Sequence, residues 1–128
     1  MSQALRILLI DDDQSIREFV SVALSDEGYE VVSAAHGAEA LAAMDHTQPD
    51  LILLDMRMPV VDGWEFARLY RQTPGPHAPI VVLTAGRNAG SAAAEIAADA
   101  YLAKPFELAA LLELVARYGN SARQPDSP

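Results

Sequence analysis

Five short apolar runs punctuate this chain: Leu5 to Ile10, Val31 to Ala35, Leu51 to Leu54, Ile80 to Leu83 and Ala100 to Ala103, each bounded by polar or turn residues. Runs this short, with little alternation of apolar and polar positions, read as strands buried on both faces. The stretches between them repeat their apolar residues at helical spacing. From Gln14 to Glu27 the residues Ile16, Phe19, Val20, Ala23 and Leu24 form one stripe, Asp13 can cap the first turn, and Gly28 can end the last. Further helices are predicted from Ala38 to Met44, Trp64 to Arg71, Ala89 to Ala98 and Leu108 to Tyr118, the last with Leu108, Leu111, Leu112 and Val115 in line. Such an alternation of strand and helix calls for right-handed crossovers, and so for an α/β fold with a parallel sheet and helices on both faces.

The chain has 128 residues, 51% of them apolar, so one buried core is expected and a second domain is not. Function must therefore fit in a single module. Nine basic residues against eighteen acidic ones give a net charge of −9, and the basic residues are scattered, which argues against direct nucleic-acid binding. The absence of cysteine removes disulfides, thiolate zinc sites and cysteine nucleophiles. The opening apolar run is short and runs into Asp11, Asp12 and Asp13, so it reads as neither a signal peptide nor a membrane span, and the cytoplasm is the expected compartment. Residues 121–128, with two prolines and no apolar pattern, read as a flexible tail or linker stub after a domain of residues 1–120.

Polar residues stand at the ends of four of the runs: Asp11 and Asp12 after the first, Asp55 after the third, Thr84 after the fourth and Lys104 after the fifth. In a parallel sheet all of them emerge at the carboxyl edge of the strands, where open α/β folds place their sites. Three carboxylates at one edge repel one another unless a cation intervenes, and magnesium takes one or two protein carboxylates and completes its shell with water and phosphate oxygens. Phosphoryl transfer needs an acceptor, charge neutralisation and positioning, which a carboxylate, a metal, a hydroxyl and a lysine supply. Asp55 is the best acceptor, because it stands alone at its strand end while Asp11 and Asp12 form a pair.

Other polar and aromatic positions have plainer readings. Asp13 and Asp62 suit helix caps or turns. His36, His46 and His77 share no ligand spacing and read as surface histidines. Trp64 and Phe66 read as helix packing residues, and Tyr101 as a strand aromatic facing the core or the surface beside Thr84.

Four segments, Ile-Leu-Leu-Ile-Asp-Asp-Asp, Leu-Ile-Leu-Leu-Asp-Met-Arg-Met-Pro-Val-Val-Asp-Gly, Val-Leu-Thr-Ala and Tyr-Leu-Ala-Lys-Pro-Phe, occur in an order and spacing that resembles the receiver domain of two-component response regulators, from about Leu5 to Tyr118. The resemblance implies a flavodoxin-like, doubly wound five-stranded sheet in the order 2-1-3-4-5 with five helices. It implies that Asp55 takes a phosphoryl group from a sensor histidine kinase or phosphotransfer protein, and that Asp11, Asp12, Asp55 and the backbone carbonyl of Arg57 hold Mg2+. Thr84 and Lys104 would bind phosphoryl oxygens, Thr84 moving toward the phosphate as Tyr101 turns inward. The face made by the fourth helix, fifth strand and fifth helix would then change its preference for a downstream protein partner. A small Ala85 would leave the site open, and Pro105 falls where the family has a cis peptide bond. Departures are Ala97, where the family often has glycine, and the fourth helix, whose Ala92 to Ala94 offer a partner little to grip; Arg57 and Gly86 lie where the family varies. Ala110 and Leu114, off the core stripe of the last helix, could serve a phosphorylation-dependent dimer; otherwise the chain is expected as a monomer.

Three other functions compete. Asp11-Asp12-Asp13-Gln14-Ser15 can be read as the Asp-x-Asp-x-Ser of a haloacid dehalogenase-type phosphohydrolase, with Asp11 as nucleophile and Asp13 as acid and base, but that reading leaves Asp55 and Lys104 without a role. A receiver fold kept only for interaction conflicts with the complete set of site residues. A nucleotide-binding flavodoxin-like domain conflicts with a first loop of three aspartates and no glycine, which repels bare phosphate. The chain is therefore expected to act as a signalling switch, not as an enzyme on other molecules, and to pass its signal by protein contact or onward phosphotransfer.

Overall fold

A computed structural model describes residues 5–44, 46, 48–85 and 89–123. Strands β1 (Arg6–Ile10), β2 (Glu30–Ala34), β3 (Leu51–Leu54), β4 (Ile80–Ala85) and β5 (Ala100–Lys104) alternate with helices α1 (Gln14–Asp26), α2 (Gly37–Ala43), α3 (Gly63–Gln72), α4 (Ala89–Glu95) and α5 (Leu108–Arg123). The strands form one sheet in the order β2-β1-β3-β4-β5, every neighbouring pair parallel. This is the expected doubly wound architecture, whose strand order reverses beside β1 and β3.

Alternation along each strand sends side chains to two cores. Leu8, Ile10, Ile52, Leu54, Ile80 and Val82 pack on one face with Ala40, Phe66, Tyr70, Ala92 and Ala93, so α2, α3 and α4 cover that side. Ile7, Leu9, Leu51, Leu53, Val81 and Leu83 pack on the other with Val20, Leu24, Leu111 and Val115, which places α1 and α5 there. The three central strands are buried throughout up to Leu83, as unalternated runs predict, apart from Arg6 at the start of β1. The outer two are not: β5 alternates between partly covered and exposed positions, and β2 is exposed at Glu30 and Ser33 and buried only at Ala34, because an edge strand has a neighbour on one side only.

The caps fall where the sequence suggests. Asp13 accepts hydrogen bonds from the N–H groups of Ser15 at 2.9 Å and Ile16 at 3.3 Å, and Asp62 accepts from Glu65 N–H at 2.9 Å, so both aspartates satisfy otherwise unpaired helix donors. Gly28, at φ 94°, follows α1, with its N–H bonded to Ser25 O and that of Tyr29 to Leu24 O.

Two helix ends differ from expectation. Helix α4 ends at Glu95 and not at Ala98, because Ala97 turns left-handed (φ 54°) and the Ala98 N–H closes on Ala93 O. Arg71 reinforces this end, its guanidinium donating to the carbonyls of Ile96 and Ala97. Helix α5 runs past the predicted Tyr118 to Arg123, into the segment read as a tail; residues 124–128 of that segment, and Gly86, lie outside the described residues.

Candidate functional site

The sheet brings Asp11, Asp12, Asp55, Thr84 and Lys104 to one rim. Asp11 and Asp55 follow directly on the ends of adjacent strands β1 and β3, and their N–H groups continue the ladder by donating to Ala34 O and Ile10 O. Thr84 and Lys104 lie inside β4 and β5, one or two residues further along than the runs suggested. The Lys104–Pro105 peptide bond is cis, as the resemblance implied.

Among the described residues the buried polar or charged groups are Asp11, Asp55 and Thr84, with 0%, 5% and 3% of their surface exposed. Burial of two neighbouring carboxylates requires compensation, and Lys104 provides part of it. Its Nζ lies 2.6 Å from Asp11 Oδ2 and 3.8 Å from Asp55 Oδ2. The other Asp11 oxygen accepts from Asp13 N–H at 2.9 Å, and Asp55 Oδ1 accepts a longer bond, 3.4 Å, from Arg57 N–H. Burial, and next the charge of Asp11, push the Asp55 carboxyl up to about 6, against the opposing pull of Lys104.

One carboxylate oxygen from each of Asp11, Asp12 and Asp55 lies within 4.8 Å of the others, Asp12 facing solvent. Oxygen donors alone, two sunk in the rim and one open to water, fit a hard divalent cation that keeps part of its water shell. A cation there also relieves the repulsion that raises Asp55.

The residues around this centre sort themselves by contact. Gly63 starts α3 so close to β3 that a Cβ would fall 2.5 Å from Met56 Sδ and 2.6 Å from Met56 Cα; only glycine lets α3 close over the segment that carries Asp55. Tyr101 points outward, 53% exposed, with its ring beside Gly90 of α4. Leu114 packs partly against the second core, leaving less free apolar surface on α5 than its position off the stripe suggested. His36 caps α2, and His77 packs edge-on against Tyr70. Asp13, the acid and base of the hydrolase reading, directs its carboxylate to its own helix.

Three features were not singled out in the sequence. Arg17 donates to the Asp11 carbonyl at 2.7 Å. Val60, 83% exposed, adopts a left-handed φ of 71° in the loop after Asp55. Trp64 Nε1 donates to Glu95 Oε1 at 2.7 Å, joining α3 to α4. Helical spacing carries no sign of a bond between separate elements, so no local signal could have found the first and third. Valine where the backbone turns left-handed could have been found only from a known turn type.

Fold and rim together define an open parallel α/β domain whose acidic pocket is bridged by lysine at the carboxyl edge of the sheet. The family model of the response regulator receiver domain matches residues 7–116, and this chain belongs to that family, one of signalling domains and not of enzymes acting on other molecules. It is 41% identical to the response regulator MprA of Mycobacterium sp. (strain KMS), over 96% of this chain and 55% of that one, so it spans about half the length of the curated relatives it matches. Among solved structures it resembles the chemotaxis response regulator CheY4 of Vibrio cholerae, at 37% identity and a TM-score of 0.81, covering 91% of this chain and 99% of that one. It also resembles the receiver domain of a signal transduction histidine kinase from Syntrophus aciditrophicus, at 27% identity and a TM-score of 0.86, covering 98% and 97%. None of these comparisons supports the phosphohydrolase alternative. No described helix is long and apolar enough to cross a membrane.

Proposed function

We propose that Asp55 is the phosphoacceptor of this receiver domain and that Asp11, Asp12, Asp55 and the Arg57 carbonyl hold Mg2+. The observation that carries this reading is the meeting of the Asp55 carboxylate with both Lys104 and the Asp11–Asp12 pair at one rim, where Asp12 is open to solvent. The donor is phosphohistidine of a sensor histidine kinase or a phosphotransfer protein. Asp55 Oδ attacks phosphorus, a P–O bond forms as the P–N bond to histidine breaks, and the histidine nitrogen leaves with the electron pair. Bound magnesium supplies positive charge to the phosphoryl oxygens. Lys104, already between Asp11 and Asp55, orients and neutralises one of those oxygens, and the buried Thr84 hydroxyl donates to another.

The product adds charge and strong acceptors at one point of the rim and biases a two-state equilibrium, in which Thr84 and Tyr101 are the switch residues and the surface of α4, β5 and α5 meets a downstream protein. The domain works in the cytoplasm, binds neither nucleic acid nor membrane directly, and is monomeric or dimerises on phosphorylation. Incubation with acetyl phosphate and Mg2+, read by intact mass, should give one phosphoryl adduct that is absent in Asp55→Asn and after chelation. No adduct on the wild-type protein, or one that persists in Asp55→Asn, overturns the assignment.

A further inference from the structure

Beside the rim, between β4 and the helices α3 and α4, lies a cavity of about 340 Å³ lined by Arg57, Trp64, Thr84, Ser91, Ala92 and Glu95. One wall is Thr84, and Arg57 reaches Asp55 through its backbone N–H. The opposite wall is α4, a seven-residue helix whose buried residues are alanines, so it is held by little apolar area. Two of the lining residues, Trp64 and Glu95, are joined by a hydrogen bond between α3 and α4.

We infer that Glu95 is a positioning residue and that the Trp64–Glu95 bond is a latch holding α4 in its resting place until Asp55 is phosphorylated. The inference rests on the phosphoacceptor reading above. Phosphorylation adds negative charge on the same side of the domain as the Glu95 carboxylate and draws the Thr84 hydroxyl away from the cavity wall. The first effect weakens the hold of Glu95 by like-charge repulsion, and the second opens room for the indole to move inward. A single, partly exposed hydrogen bond suits this task, because the modified site can offset it without unfolding the helix.

Trp64 is the sole tryptophan, so its emission reports the latch directly. Acetyl phosphate with Mg2+ should shift the emission of the wild-type protein in step with the adduct seen by mass. Because Glu95→Ala changes the surroundings of the indole in any case, the deciding readout is the rate of adduct formation. It should rise about fivefold in Glu95→Ala, the population shift expected from losing one such bond, and return toward the wild-type rate in Glu95→Gln, which keeps an acceptor oxygen. An adduct that forms without any change in Trp64 emission, or at equal rates in wild type and Glu95→Ala, overturns the latch alone. Failure of the wild-type protein to form an adduct at all overturns the phosphoacceptor reading, and the latch with it.

Discussion

Asp55 illustrates what one buried carboxyl costs and what it makes possible. Its pKa stands at about 6 in the folded chain against 3.8 for an unperturbed aspartate, so between those values the native state binds more protons than the unfolded one. Stability should therefore fall as pH rises from about 4 through 6, by about 3 kcal/mol in the absence of divalent cation. Asp55→Asn should remove that fall: urea melts without cation should show the variant more stable by about 3 kcal/mol at pH 7 and little different at pH 4. Equal pH dependence in both proteins would refute the account. Val60 and Ala97 show a different residue-scale cost, since both hold left-handed backbone that glycine adopts freely. Val60→Gly and Ala97→Gly should each raise stability by about 0.5–1 kcal/mol, a small upward shift of the denaturant midpoint. A downward shift would mean that side-chain contacts outweigh the backbone cost.

At the scale of elements, the helices are placed by their ends. Helix α1 depends on Asp13, whose carboxylate takes up two N–H groups. Asp13→Ala should cost about 1 kcal/mol and leave labelling of Asp55 intact, which separates a cap from a catalytic group. Helix α3 depends on Gly63, since the contacts a Cβ would make with Met56 are too short for any adjustment short of moving the helix. Gly63→Ala should lower stability by about 1–3 kcal/mol and slow phosphorylation, because the displaced helix carries with it the chain that positions Asp55. The same scale explains which sequence expectations failed. Periodicity places most helix ends within a residue or two, but it extended α4 through Ala97 and Ala98, where only the left-handed φ of Ala97 stops the helix. It also stopped α5 at the last large apolar residue, although the helix continues to Arg123. Strand burial was read as uniform because apolar runs look alike in sequence, whereas position in the sheet decides which strand has an uncovered side.

For the molecule as a whole, a cation held at the rim would link its binding to folding. If Asp11, Asp12 and Asp55 hold Mg2+, the cation stabilises the native state by mass action, by about 2.7 kcal/mol at a hundredfold excess over its dissociation constant. Thermal melts should rise with Mg2+ in the wild-type protein and much less in Asp12→Ala, whose exposed side chain contributes nothing to the core. An undiminished rise in that variant would place the cation elsewhere. The sequence by itself determined the strand-helix alternation, the parallel sheet and the residues of the rim, because apolar period and polar residues at run ends are local properties written along the chain. Only the tertiary structure decided how deeply Asp11 and Asp55 are buried, that Lys104 reaches both, that β2 and β5 are edges and that Trp64 meets Glu95. Those facts are distances between residues remote in sequence, fixed by the order in which the strands pair and the way the helices pack on them, and no local pattern encodes them.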